Sequence, residues 1–429
     1  MSRQHSHLPL AMLFMLAWRN LWRHRRRTLI TLSSIAIGFG MAVLFIGIGD
    51  GSHNWMIRNA IKLGEGHITV QPRGYLEAPA NHKFLRDGKS VEAKIKALHP
   101  TGTIEPRISL QVLASTASNA VGAGLEGIRI NGDQRSTMLK PKLIDGAWIE
   151  QGDLRGILIG DGMARKLKAR IGSKVVVMAG KQGGDSEAQL GRVRGIFDSR
   201  VDELDDYLVV SDIGFARQFL EVEGTISDGE TGSEPVTRFA LFLDDPDSMS
   251  MWKARLKSAV DGDGIVVLDW QEMMPQLVQF IIIDDAGNYI FLVLILIMVV
   301  FGIVNTVLMS VLERTREFGL LRALGISRYH LLALVFCESL LLSFMAVGVG
   351  WIVGGGTHLW FSHFGIDMAS LMSEGTQMMG TFMDPVIYTE LSWGRVFELT
   401  AIIFAATLAS GIYPAIKAAR VLPVEALRT

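Results

Sequence analysis

The chain has 429 residues, 49% of them hydrophobic, and a formal net charge of −1. Its mean hydropathy of +0.30 is too high for a disordered chain and above what an ordinary soluble enzyme of this size needs. Near-neutrality argues against nucleic acid as the main partner. The single cysteine, Cys337, excludes an intramolecular disulfide framework and any multi-cysteine zinc or iron–sulfur site.

In chain order, residues 1–27 carry Arg3, Arg19, Arg23, Arg25, Arg26 and Arg27 and no acid. Within them, Leu13, Leu16, Ala17, Trp18, Leu21 and Trp22 fall mostly along one helical stripe, with Asn20 and the arginines on a polar side. This is the pattern of an amphipathic helix in the cytoplasmic interface, tryptophans at headgroup level and arginines on anionic lipid. The basic stretch is too long for a cleaved signal peptide and reads as a retained anchor. Residues 28–49 then run without Asp, Glu, Lys or Arg, long enough to cross ~30 Å of hydrocarbon as a first span.

Residues 50–285 read as a soluble insert. Alternating or β-branched runs predict strands over 67–71, 103–115, 125–130, 156–159, 174–178, 192–197, 207–210, 237–243 and 265–268. Helices are predicted over 90–98, 161–170, 212–220 and 245–260, several starting at a Ser or Asp able to cap free N–H groups. The mixture indicates an α+β domain, with two subdomains expected. Residues 221–234 are polar and Gly/Ser-rich, the composition of a mobile loop or hinge, and 181–187 of an exposed hairpin tip. The domain carries little recognisable chemistry. There is no G-x-x-x-x-G-K-[S/T] phosphate loop, G-x-S-x-G elbow, H-E-x-x-H pair or C-x-x-C. His53, His67, His82 and His99 read as separate surface histidines. The cluster Asp202, Glu203, Asp205 and Asp206 reads as a solvated loop, because calcium-type ligand spacing and a turn glycine are missing. No catalytic residue, bound cofactor or metal is expected, so the chain reads as non-catalytic.

A nearly continuous helix is expected over 270–312, interrupted at Pro275 and at 284–287, with its second span at 286–312. The segment 313–328 follows, then a third span at 329–357 whose one charge is Glu338. A carboxylate there is costly unless paired, and a pairing near the cytoplasmic side is expected. Gly350 and Gly354 form a small-xxx-small pair suited to close helix packing. The loop 358–394 has four acids and no Lys or Arg. Its His358, His363, Met368, Met372, Met378, Met379 and Met383 leave a weaker Cu(I) alternative to plain adaptable apolar surface. A fourth span at 396–416 and a basic tail at 417–429 complete the chain. The positive-inside rule puts both termini and 313–328 in the cytoplasm, and the 50–285 insert (28 basic against 34 acidic residues) and 358–394 outside. The fold class is thus membrane α-helical, four transmembrane helices with a large extracytoplasmic α+β domain inserted between the first and second.

The most informative segment is ERTREFGLLRALGIS. A helix over 313–324 presents Phe318, Leu320, Leu321 and Leu324 with Arg314, Arg316 and Arg322, ends at Gly325, and leaves Ser327 to cap the next span. It reads as a short lever across the membrane face. This segment resembles the cytoplasmic coupling segment of ABC transporter permeases of the MacB/FtsX/LolC type. The tail IYPAIKAARVLPVEALR is similar to that family's C-terminal motif, and WRNLWRHRRRTLITLSSIAIG to its first helix and span. Within the insert, LIDGAWI and ILIGDGMARKL look most like lipoprotein-releasing permeases of the LolC/LolE kind. MacB fuses an ATPase to its permease, whereas this sequence has no ATPase motif, so the resemblance implies a separate ATPase subunit in two copies that holds ATP and Mg.

The resemblance further implies a second permease copy, identical or related, movement of the outer domain driven by ATP, and cargo taken from the outer leaflet or periplasm of the bacterial inner membrane. Membrane lipids and a periplasmic chaperone or adaptor are the other implied partners. The expected ATPase-coupling residues are Glu313, Arg314, Arg316, Glu317, Phe318, Leu320, Leu321, Arg322 and Gly325. The expected cargo cleft is Met41, Leu44, Phe45, Ile48, Ile290, Phe291 and Leu294. Extraction of lipoprotein or other hydrophobic cargo is the leading reading. MacB-like efflux through an adaptor and outer-membrane duct, and FtsX-like activation of a periplasmic hydrolase, are the alternatives.

Overall fold

The computed structural model describes residues 10–23, 25–181, 185–199, 202–220, 234–260, 264–324, 326–367 and 386–420. They divide into two compact units: a helical one drawn from Met1–Asn54, Ile281–Ser370 and Pro385–Thr429, and an inserted one built chiefly from Trp55–Phe280.

The chain begins with α1 (Leu10–Arg23) and α2 (Arg25–Ala60). The inserted domain follows as β1 (Ile68–Pro72), α3 (Gly88–Ala97), β2 (Gly102–Ser115), β3 (Ala120–Ile128), α4 (Gln134–Leu139), β4 (Leu143–Gly146), β5 (Gly156–Gly160) and α5 (Asp161–Leu167). It continues through β6 (Lys174–Gly180), β7 (Ser186–Phe197), α6 (Asp202–Tyr207), β8 (Leu208–Asp212), α7 (Ile213–Arg217), β9 (Arg238–Leu243), α8 (Met249–Val260), β10 (Ile265–Asp269) and α9 (Trp270–Met273). The rest is α10 (Pro275–Glu313), α11 (Thr315–Ala323), α12 (Arg328–Phe364), the short pair β11 (Ile366–Asp367) and β12 (Val386–Ile387), and α13 (Trp393–Ala419).

Four of these helices are long and apolar enough to cross a membrane: 28–60 within α2, and α10, α12 and α13. Their ends follow local chemistry. Pro275 opens α10, where its missing N–H costs nothing. Ser327 caps α12 by accepting from the His330 N–H, and Gly365, at φ +71, ends it. Ser392 caps α13 by accepting from the Arg395 N–H. Two expectations are corrected here. α10 runs unbroken through 284–287, because Asp284 and Asp285 have partners that remove the cost of two adjacent charges. Residues 358–364 are helical and not loop, since nothing in HLWFSHF breaks a helix before Gly365.

The inserted domain is one mixed ten-stranded sheet, ordered β10-β1-β9-β2-β3-β8-β5-β7-β4 with β6 bridging β2 and β7. The 14-residue β2 joins its halves: Gly102–Arg107 pairs with β9, and Ile108–Ser115 pairs with β3. Both halves share β2 and lie within one compact unit. The alternation of β2 explains the layering. Ile108, Leu110 and Val112 join the main core with Val70, Leu125, Val209, Phe239 and Leu241, which α3, α5, α7 and α8 cover. Sequence patterning overlooks α4 and β4. It also reads 202–206 as loop, whereas this stretch is α6, with Asp205 buried and accepting the Ser199 N–H at 3.0 Å. The polar run 221–233 and the 182–184 tip lie outside the described residues.

Candidate functional site

In the helical unit, α2 and α12 meet at glycines. A side chain on Gly350 would overlap the Phe39 ring, and a Cβ on Gly354 would sit 3.1 Å from the Gly40 Cα. Phe39 is wholly buried and meets the Trp351 ring edge-on at 5.2 Å between centroids. Bulk at either glycine therefore separates the helices.

At the arginine-bearing end, the nine predicted coupling residues divide by the direction they face. Arg314 turns inward, donating to Glu338 at 3.0 and 3.3 Å and to Glu317 at 3.2 Å. Glu338 also accepts from the Asn20 amide of α1 at 2.7 Å, and Glu317 meets Arg23 at 3.2 Å. The half-buried carboxylate of the third long helix is thus paired with Arg314 and Asn20, which joins α1 and α12 to the start of α11. Phe318 is fully buried among Val311, Leu331, Val335, Ala415 and Ala418. Leu321 packs against the same cluster, and Arg322 donates to the Ala419 carbonyl of α13 at 3.3 Å. Glu313, Arg316 and Leu320 face outward, together with Leu324, the most exposed apolar side chain of the segment at 74%. Gly325 lies outside the described residues. α11 is therefore a lever held on its inner face, with Arg316, Leu320 and Leu324 exposed at four-residue spacing on its outer one. α1 adds support: Leu13 and Ala17 bury against Leu334 and Cys337 of α12, while Trp18 stays exposed.

Of the predicted cleft residues, Met41 and Phe45 on α2 and Ile290, Phe291 and Leu294 on α10 are exposed, whereas Leu44 and Ile48 are half-buried. The Phe45 and Phe291 rings lie 4.9 Å apart, so these residues form one apolar surface across two helices. The most apolar stretch of α10 is only 17% buried. An exposed apolar surface of this extent marks contact with lipid, cargo or another chain.

Next to that surface lies a charge network the sequence did not disclose. Arg395 reaches Asp50 of α2, Asp285 of α10 and Glu398 of its own helix, each at 3.3 Å, and stacks over Tyr289 at 5.4 Å. His53, expected on the surface, is buried, with its Nε2 2.8 Å from Asp284. Asp50, His53 and Asp285 place ligand-type atoms within 4.8 Å of one another, as a metal site would. The Arg395 guanidinium supplies the positive charge there. The adjacent aspartates at 284–285 were the available signal, since two acids inside an apolar helix need a cation.

In the inserted domain, the sheet face opposite the core holds a buried ionic layer. Arg107 is fully buried, donating to Glu105 at 2.8 Å, Asp133 at 3.3 Å and Glu126 at 3.4 Å, and also to the Gly64 carbonyl. Arg135 meets Glu126 at 2.8 Å. Burial, reinforced by the charge of Asp133 and opposed by Arg107, pushes the Glu105 carboxyl up to about 7. Burial raises Asp133 as well. Burial pushes Glu126 the same way, but Arg135, Arg107 and Arg238 outweigh it and hold Glu126 below its ordinary value. Single histidines and the acidic 202–206 run had drawn attention in the sequence; this alternating Glu105–Arg107 pair on β2 had not.

Comparison with known proteins agrees with this layout. Residues 28–259 match the MacB-like periplasmic core domain, and residues 289–423 match the FtsX-like permease C-terminal domain. The chain is 25% identical to an uncharacterized ABC transporter permease of Methanocaldococcus jannaschii, with 96% of each chain covered. It is 22% identical to the lipoprotein-releasing system transmembrane protein LolE of Haemophilus influenzae, over 96% of this chain and 98% of that one. Against the macrolide export ATP-binding/permease protein MacB of Chromobacterium violaceum the identity is 24%, over 97% of this chain but 61% of that one.

Proposed function

The chain belongs to the MacB/FtsX/LolC family of ABC transporter permeases, and we propose that it draws lipidated or otherwise hydrophobic cargo from the outer leaflet of the inner membrane, using ATP hydrolysed by a separate subunit. In this reading both termini and α11 are cytoplasmic and the inserted domain is periplasmic, as the arginines of residues 1–27 and the acidic insert favour. Two ATPase copies grip the outward stripe Glu313, Arg316, Leu320 and Leu324. The inward side of the lever, tied through Arg314 to Glu338, carries their motion into α12. A second permease copy completes the assembly.

The observation that carries this reading is the exposed apolar surface joined by Phe45 and Phe291 on the two helices that flank the inserted domain in sequence. Acyl chains released from a bilayer need such a surface, since each buried methylene is worth about 0.8 kcal/mol. Photocrosslinkers placed at Phe45 and Phe291 in living cells test it. Capture of lipidated protein is the expected result. Capture of phospholipid alone at both positions rules the cargo out. Copurification of an adaptor and outer-membrane duct favours MacB-like efflux instead, and ATP-dependent activation of a bound hydrolase without cargo favours FtsX-like signalling.

A further inference from the structure

Above the ionic layer of the inserted domain lies a cavity of about 550 Å³. Its wall is apolar, formed by Leu76, Leu204, Tyr207, Met273 and Met274. Its polar lining includes Gln71, Ser109, Glu126 and Arg135. Gln71 is fully buried, and neither its carboxamide oxygen nor its nitrogen has a hydrogen-bond partner among the described residues. The Ser109 hydroxyl is likewise buried without one. Buried polar groups are normally paired, so two orphaned side chains lining one cavity point to an occupant.

The chemistry of that occupant follows from what is already balanced. Arg107, Arg135 and Arg238 face Glu105, Glu126 and Asp133, three cations against three acids, so the layer calls for no further ion. Arg135 leaves its Nε without a partner, but its guanidinium is already matched to Glu126; the lining side chains with no hydrogen bond of their own among the described residues are a carboxamide and a hydroxyl, both able to donate and accept. The same cavity shows what a carboxamide does here. Asn81, also in its lining, donates to the Gln111 carbonyl and accepts from the Gln111 N–H, both at 2.9 Å, reading one backbone unit from both sides. Gln71 carries the same group with nothing to read.

We infer that this cavity binds an uncharged peptide segment, with Gln71 pairing to a backbone amide and an apolar side chain seated on the Leu204–Met273–Met274 wall. Met273 and Met274 are flexible enough to give way as the segment enters. The inference rests on the reading above and deepens it: the polypeptide of the cargo, as distinct from its lipid, is held by the inserted domain.

The test uses the purified full-length chain in nanodiscs and calorimetric titration with N-acetyl-Gly-Leu-Gly-amide. The controls are the Asp-Leu-Asp analogue and 3-methylbutan-1-ol, which keeps the leucine-like body without an amide. Gln71→Leu is expected to weaken the tripeptide by about tenfold or more with the melting temperature unchanged or raised, since an orphaned amide has gone. If Gln71→Leu does not fold, Ser109→Ala is expected to weaken it by roughly threefold or more. The inference is overturned if wild type does not bind the tripeptide at about 10 mM, or if the variant that folds binds it as well as wild type. Equal binding of the aspartate peptide or of the alcohol overturns it too. Neither ATP, ATPase nor lipidated cargo takes part, so this result and the crosslinking at Phe45 and Phe291 stand or fall separately.

Discussion

Replacing Arg107 by Met keeps much of the side-chain volume and removes the charge at the centre of the buried layer. Wild type sets three guanidinium groups against three carboxylates. Without Arg107, Glu126 keeps Arg135 at 2.8 Å, whereas Glu105 and Asp133 lose the one guanidinium they meet among the described residues. Glu105 then retains the Gln134 N–H at 2.9 Å, and Asp133 the Arg135 N–H at 2.8 Å. Removing one partner of a buried ion pair costs about 3–5 kcal/mol, because a charge is left uncompensated. At roughly 2–4 °C per kcal/mol for a domain of this size, the inserted domain should melt about 6–20 °C lower at pH 8. Protonation gives the orphaned acids an escape, so at about pH 5 the deficit should fall to less than half. The assay is thermal unfolding of the purified full-length protein at both pH values, followed by tryptophan fluorescence and by protease nicking within residues 55–280. A shift below about 2 °C at pH 8, or one of equal size at both pH values, refutes the reasoning.

Glu105 itself gives a prediction with a defined sign. Its carboxyl is raised by burial to about 7 in the folded domain, so its contribution to stability is complete below the ordinary carboxylate range and is lost as pH rises through about 7. Glu105→Gln should flatten the fall in melting temperature between about pH 5 and 8; an unchanged slope in that variant assigns the dependence to other groups. Gly350→Leu, forced against the Phe39 ring, should destabilise the helical unit by about 1–3 kcal/mol and lower its yield in detergent, whereas Gly348→Leu, with open space at its Cβ, should not; similar losses in both would rule out the packing argument. Leu320→Asp should abolish stimulation of the ATPase partner and leave the thermal profile of the permease unchanged, because Leu320 is exposed. Leu321→Asp and Glu317→Lys should lower both, since these side chains also hold the lever in place. Uniform behaviour of the three would contradict the division of the lever into a held side and a free one.

The long apolar runs were legible because the requirement for about 20 uncharged residues leaves few alternatives. The ends of the helices were less so. The third span was ended at 357 although nothing breaks its helix before Gly365, and the charged pair at 284–285 looked like a break only while its partners, His53 and Arg395, were out of sight more than 100 residues away. Glu338 is paired from two separate segments, by Asn20, 318 residues away, and by Arg314, 24 residues away. In the inserted domain, strand alternation located the strands that carry the core residues Ile108, Leu110 and Leu125. It gave no warning that the opposite face, with Gln71, Glu105 and Arg107, would also be buried, since polar residues on a strand ordinarily mean solvent. For the coupling segment, residue types identified the lever, but which of its residues face inward is set by packing against Leu331, Val335 and Ala415.

The central claim is that ATP hydrolysis in a partner subunit, transmitted through α11, empties the apolar surface around Phe45 and Phe291. The most direct measurement is crosslinking from those two positions in the native complex, captured with its ATPase and reconstituted in nanodiscs, before and after ATP. The account predicts that lipidated cargo crosslinks before ATP and is lost from both positions after it, and that Leu320→Asp retains it. Cargo crosslinking that does not respond to ATP in the wild-type complex would contradict the account.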